Sequence, residues 1–240
     1  MKIDKDRLSE IGAGILVLCA VVTTILVVRR EFVPDSMATA PTIAQSQPRF
    51  IDGWEDVLTV GIRSGAADAP VQVIEFTDFQ CPYCAHFEET VKTIRDRYPD
   101  QVAFTFAPFP LDFHEFAEAA QRAAECAHNQ GKFDAIRSLL FEKQQAFGAD
   151  SWTDFAMQSG IVDISQFEAC VNDTKPLERI EHSKKLADKF GVKGTPTVLV
   201  NGWMLPAPPS PENFDKIVQN TAEGRPATTD VNFYATNAQN

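Results

Sequence analysis

The chain lacks a basic stripe. Its 22 Lys and Arg are outnumbered by 33 Asp and Glu, giving a formal net charge of −11, and a chain without clustered Lys and Arg has no electrostatic footprint for nucleic acid. No nucleic-acid partner is assigned. Cysteine is scarce as well, five in 240 residues, and only Cys81 and Cys84 are spaced as CxxC. A structural zinc site needs a second pair of ligands at matching spacing, whereas Cys126 and Cys170 stand alone, so no metal is expected. No cofactor is expected either, and neither internal repeats nor a coiled-coil heptad is present.

Long apolar runs are missing with one exception. Ile11 to Val28 carries no charge over eighteen residues, with Lys2, Lys5 and Arg7 before it and Arg29 and Arg30 after it. That length fits a short transmembrane helix and exceeds a usual signal-peptide core. Ala38-Thr39-Ala40 has the form of a cleavage site, but Pro41 follows it and two arginines intervene. Residues 1–10 are therefore read as a cytoplasmic N-terminus and 11–30 as an uncleaved anchor, with a cleaved signal peptide as the alternative. Residues 31–52, rich in Pro, Ala, Ser, Thr and Gln, are read as a flexible linker, and the polar residues 223–240 as a disordered tail.

Between these ends lies a pattern of strands and helices. Val71 to Phe79 is strand-like, Ala85 to Tyr98 is helical, and Val102 to Phe106 alternates as a second strand. Such a βαβ unit gives a parallel pair. The period then turns helical from about 112 to 190, with stops at Gly131, Gly160 and Gly191 and a capping-box start at Ser151 and Asp154. Strand character returns at Thr197 to Val200; Asn201-Gly202 is a hairpin turn signal, and Ser210-Pro211 opens a last helix. The order βαβ, helical insertion, ββα predicts an α/β thioredoxin fold over 53–222, split by a helical subdomain.

Cys81-Pro82-Tyr83-Cys84 sits where the first strand meets the first helix. A cysteine at a helix N-terminus faces unpaired N–H groups and the positive dipole end, which lowers its pKa from about 8.5 into a range of roughly 3.5 to 7.5. Cys81 is thus the expected attacking thiolate, and Cys84, one turn deeper, the thiol that resolves a mixed disulfide. Cys126 and Cys170 lie beside apolar helical faces, and a bond between them would close a loop of about 45 residues worth roughly 4 kcal/mol in the chain-entropy picture. Two buried free thiols are the alternative.

Several segments together resemble a known family: Glu75-Phe-Thr-Asp-Phe-Gln-Cys-Pro-Tyr-Cys84, Pro110-Leu-x-x-His114, Gln130-Gly-Lys-Phe133, and Gly194-Thr-Pro-Thr197 before Asn201-Gly202. The chain resembles the DsbA-like thioredoxin-fold oxidoreductases, particularly membrane-anchored bacterial members, over roughly Gly53 to Thr221. It departs from the best-known members in having Tyr83 rather than histidine between the cysteines, Thr195 rather than valine before the proline, and an additional cysteine pair. The resemblance implies that Pro196 is a cis-proline beside the dithiol and that Glu75 is a buried acid able to exchange a proton with Cys84. It also places Pro82, Tyr83 and Thr195 at the substrate groove. Strand periodicity alone leaves Glu75 free to face either the core or water. Asp78 reads as a turn residue, His86 as surface, and His114 as either a cap or a chemical group.

The expected function is a thiol–disulfide oxidoreductase that introduces disulfides into exported proteins through the Cys81–Cys84 pair. It would be anchored in a bacterial cytoplasmic membrane with its catalytic domain on the periplasmic or extracellular side. The resemblance implies a membrane reoxidant of the DsbB or vitamin K epoxide reductase type. A reductase or isomerase is the alternative among enzymes, and a peptide-binding holdase that never cycles is the alternative outside them.

Overall fold

The computed structural model describes residues 47–233. The expected anchor at 11–30 lies outside the described residues, and among the described residues no helix is long and apolar enough to cross a membrane. The strands are β1 (Arg49–Phe50), β2 (Ile62–Ser64), β3 (Val71–Thr77), β4 (Val102–Pro108), β5 (Thr197–Val200) and β6 (Trp203–Met204), which form one sheet in the order β1-β6-β5-β3-β4-β2. The helices are α1 (Asp56–Val60), α2 (Pro82–Arg97), α3 (Ala117–His128), α4 (Phe133–Glu142), α5 (Trp152–Gln158), α6 (Ile164–Val171), α7 (Glu178–Phe190) and α8 (Pro211–Ala222).

The predicted architecture is present. β3 and β4 run parallel, from Val71 opposite Val102 to Thr77 opposite Pro108, and α2 makes the crossover between them. β5 lies antiparallel to β3 and turns through Asn201 and Gly202 into β6. Both turn residues have positive φ, 44° and 85°, as a two-residue hairpin with the matching twist requires. A side chain at residue 202 would also collide with Phe50 and Trp54, so glycine is required there twice over. Ser210 caps α8 by accepting from the Asn213 N–H, and Ser151 and Asp154 form the expected capping box on α5.

β3 is buried on both faces, and alternation divides its side chains between two cores. Val71 and Val73 face α2, α8 and the insertion, where Phe87, Ile94, Phe214 and Ile217 pack. Ile74 and Phe76 face the opposite side, against Val57 of α1 and Ala187 and Phe190 of α7. The insertion therefore divides: α3 to α6 build onto the first core, while α7 returns beneath the sheet. Cys126 on α3 and Cys170 on α6 are disulfide-bonded, as the apolar helical faces suggested.

Two boundary expectations are corrected. The end of the linker is part of the sheet: β1 pairs with β6, the Ile51 N–H donates to the Gly202 carbonyl at 2.8 Å, and Phe50 packs edge-on against Trp203. The outer strand of the hairpin has an unpaired backbone edge, and residues 49–51 occupy it. The first part of the tail is likewise ordered. Asn220 Nδ2 donates to the Ala227 and Thr229 carbonyls, Asn213 Nδ2 donates to the Asn232 carbonyl, and Ala227 is buried with Val231 and Phe233 packed alongside the core. Two asparagine side chains thus satisfy carbonyls in a segment whose polar composition suggests disorder; residues 234–240 lie outside the described range. The short α1 and β2 were also not anticipated.

The disulfide gives a test. Cys126 and Cys170 should stay unlabelled by a thiol reagent at reductant concentrations that fully label Cys81 and Cys84. Replacing both with alanine should lower the unfolding free energy in urea by about 2–5 kcal/mol; an unchanged value would remove the disulfide's structural role.

Candidate active site

The loop from β3 into α2 is fixed from several directions before it reaches the cysteines. Asp78 is buried and accepts from the Gln80 N–H at 2.7 Å and the Leu111 N–H at 2.8 Å, with His114 Nδ1 at 2.7 Å from its Oδ2. Gln144, in the turn after α4, donates through Nε2 to the carbonyls of Phe79 at 2.7 Å and Cys81 at 2.9 Å. The insertion thereby grips the redox turn by its backbone. Cys81 is the N-cap of α2 with extended backbone, and Pro82 occupies the first helical position, where a missing N–H costs nothing.

Both cysteines of the pair are free thiols here. Cys84 is fully buried and Cys81 is 3% exposed, with its Sγ 3.4 Å from the Thr195 carbonyl oxygen. The Thr195–Pro196 peptide is cis, and Thr197 Oγ1 closes this turn by donating to the Gly194 carbonyl at 2.7 Å. Pro82 and Tyr83 stand outside, and Tyr83 lines a groove with His86, Phe87, Pro208 and Pro209. The sequence-predicted residues Cys81, Cys84, Thr195 and Pro196 are thus brought together, Pro82 and Tyr83 form their exposed border, and Cys126 and Cys170 are a separate structural bond.

The two sulfurs are electrostatically unlike. The Cys81 thiol is lowered to about 5, first because the Cys84 side chain hydrogen-bonds to it and further by the backbone N–H groups of Tyr83 and Cys84, against an opposing effect of burial. Cys84 is pushed well above the ordinary thiol range by burial, then by its hydrogen bond to Cys81 and by the nearby Glu75 charge. The pair therefore shares one proton, held on Cys84, with a thiolate at Cys81 near neutral pH.

Glu75 settles on the inner face. It has the parity of Val71 and Val73 on β3 and is 1% exposed, and burial raises its carboxyl from 4.5 to about 7. Two further charges in this core were not anticipated. Arg137 on α4 is fully buried, with its guanidinium stacked 3.7 Å from the Phe106 ring centroid and held by Glu88 of α2 in a bidentate pair. The signal was present in the spacing. Glu88 stands four residues after Cys84, between Phe87 and Val91, and Arg137 stands between Ile136 and Leu140, so both fall on inward helical faces. Gln144 had no comparable signal, because it lies in a short 3₁₀ turn.

Comparisons with known proteins agree with this geometry. The family model described as "Thioredoxin" matches residues 59–220. Among curated proteins, the Na(+)/H(+) antiporter NhaA 1 of Mycolicibacterium gilvum is 33% identical over 144 residues, covering 58% of this chain and 23% of the antiporter. NhaA 3 of Salinispora tropica is 34% identical over 139 residues, covering 58% and 21%. The chain thus spans less than a quarter of the length of these relatives. Among solved structures, oxidised BdbD from Bacillus subtilis superposes with a TM-score of 0.62 at 20% identity, over 75% of this chain and 98% of that one. The catalytic domain of Proteus mirabilis ScsC gives 0.60 at 24% identity, over 70% and 94%, and α-DsbA2 of Wolbachia pipientis gives 0.62 at 18% identity, over 69% and 90%. These likenesses establish the fold. The chain belongs to the thioredoxin family, and it carries a dithiol, a cis-proline loop and inserted helices on that fold.

The unequal sulfurs assign the order of attack. Mixed with a disulfide-bearing peptide, the Cys84→Ser variant should form a stable mixed disulfide through Cys81, seen by mass spectrometry. Cys81→Ser should react more slowly by about tenfold or more. Equal trapping through Cys84 would reverse the roles.

Proposed function

We propose that this thioredoxin-family protein is a DsbA-like thiol–disulfide oxidoreductase that works as an oxidase outside the cytoplasm, passing the Cys81–Cys84 disulfide to exported proteins. The observation that carries this reading is the stabilised Cys81 thiolate. A thiolate that is stable is a good leaving group and favours the reduced enzyme, which is what makes a dithiol pair oxidising.

The exchange balances as follows. A substrate thiolate attacks Cys81 Sγ of the oxidised pair; the S–S bond to Cys84 breaks, and Cys84, with its raised proton affinity, takes up a proton. A second substrate thiolate then attacks the mixed disulfide and displaces Cys81 as thiolate. The substrate is oxidised by two electrons and the enzyme reduced by two. Glu75, poised near neutrality, lies close enough to influence Cys84 and can supply the proton it takes.

Other parts of the reading rest on sequence. The apolar run at 11–28 with basic flanks supports a single-pass anchor in a bacterial cytoplasmic membrane with the catalytic domain on the outer side. The Cys126–Cys170 bond supports an oxidising compartment. Reoxidation is assigned to a membrane partner of the DsbB or vitamin K epoxide reductase type. Antiport, which the curated relatives' names describe, is not carried over, because this chain covers 21–23% of those proteins.

Equilibration of residues 47–233 with glutathione tests the direction. An oxidase of this kind should have a reduction potential between about −120 and −180 mV. A value near that of thioredoxin, about −270 mV, would make the protein a reductase.

A further inference from the structure

Two buried carboxylates compete for one guanidinium beneath the dithiol. Arg137 gives both terminal nitrogens to Glu88, with Nη1 donating to Oε1 at 3.1 Å and Nη2 to Oε2, while Ser138 Oγ donates to the same Oε1 at 3.2 Å. Glu75, on β3, approaches the same nitrogen, Nη2, that Glu88 Oε2 holds. Its Oε2 is 3.9 Å from Nη2 and, although buried, receives no hydrogen bond. The nearest cation to Glu75 is therefore engaged with another acid.

We propose that Glu88 is a positioning residue that holds the Arg137 guanidinium away from Glu75, so that the acid under the dithiol has no committed counter-ion and keeps its proton. The Phe106 ring, under the guanidinium and opposite Glu75 in the β3–β4 register, keeps Arg137 from swinging toward the sheet. A bidentate, buried pair is the stronger claim on an arginine, and a lone carboxylate in an apolar site is neutralised instead. The consequence reaches the sulfurs. A protonated Glu75 has an O–H to give when Cys84 leaves as thiolate, whereas an ionised Glu75 paired to Arg137 has none.

The other groups around Glu75 leave this competition undisturbed. The flanking strands β4 and β5 carry no titratable side chain. From α2, Glu75 faces Cys81, Cys84 and Glu88, while His86, Glu89 and Lys92 are exposed, and Lys92 and Arg95 favour the charged form of Glu88. From α4 it faces Arg137, whose neighbour Asp134 is bound to Arg95. From α8, Glu212 and Lys216 are exposed, and Asp215 is bound to Arg97 and Tyr98.

The test is the titration of the Glu75 carboxyl carbon by NMR in the reduced protein, assigned with Glu75→Gln. In Glu88→Gln the freed guanidinium should turn to Glu75 and lower its midpoint by about one pH unit or more, a tenfold change in proton affinity. In Glu88→Gln/Arg137→Met, which removes the whole pair and leaves no lone buried charge, the midpoint should rise above that of the unmodified protein. Opposite shifts are required, and because Glu88 raises and Arg137 lowers the Glu75 carboxyl where they stand, a structure of Glu88→Gln must also show the guanidinium hydrogen-bonded to Glu75. An unmoved midpoint in Glu88→Gln, or a fall in the double variant, overturns the proposal. If Glu88→Gln does not fold, the double variant alone decides. The proposal rests on the dithiol reading only in its consequence for Cys84, so a reductase-like potential would leave the titration outcome unaffected.

Discussion

Everything in this molecule depends on keeping one sulfur charged beside another that is not. Cys81 sits where α2 offers free N–H groups, and Cys84 sits one turn further in, where burial forbids charge. The proton they share has a definite owner for that reason. The parallel β3–β4 pair aims α2 by its N-terminus, the cis-proline loop brings the Thr195 carbonyl to 3.4 Å from Cys81, and Gln144 fixes the Cys81 backbone from the insertion. The Cys84 thiol, Thr195 and the helix amides favour the thiolate at Cys81, whereas burial disfavours its charge. These opposed interactions set the balance.

The inserted helices do more than cover the sheet. They contribute Gln144 to the redox turn and Arg137 to the charges beneath it, and the Cys126–Cys170 bond ties α3 to α6 within the same subdomain. Buried charge is costly unless it is paired and hydrogen-bonded, and Arg137 satisfies this with Glu88 and the face of Phe106. Glu75 has no such bidentate partner, and burial raises its carboxyl to about 7.

Much of the site was legible because its signals are local. The CPYC step at a strand-to-helix junction, the Asn201-Gly202 turn and the Ser210-Pro211 cap each need only a few adjacent residues. Glu75 was located on β3, but its face became known only once the neighbouring strands and α2 fixed the parity. Arg137 and Glu88 were missed because charged residues on amphipathic helices ordinarily face water, and only the tertiary pairing turns them inward. β1 and the folded part of the tail were missed for a related reason. Ile51 is held by the backbone of Gly202 far away in the chain, and Ala227 and Thr229 by the side chain of Asn220 in the preceding helix, and composition records none of that.

The central claim is the thiolate at Cys81, and its most direct measurement is the rate of iodoacetamide alkylation of the reduced protein as a function of pH. Modification at Cys81 should follow a single titration with a midpoint near 5, so that the rate is already maximal at neutrality. A midpoint near that of an ordinary thiol, about 8.5, would show that the helix terminus and Cys84 do not hold the charge.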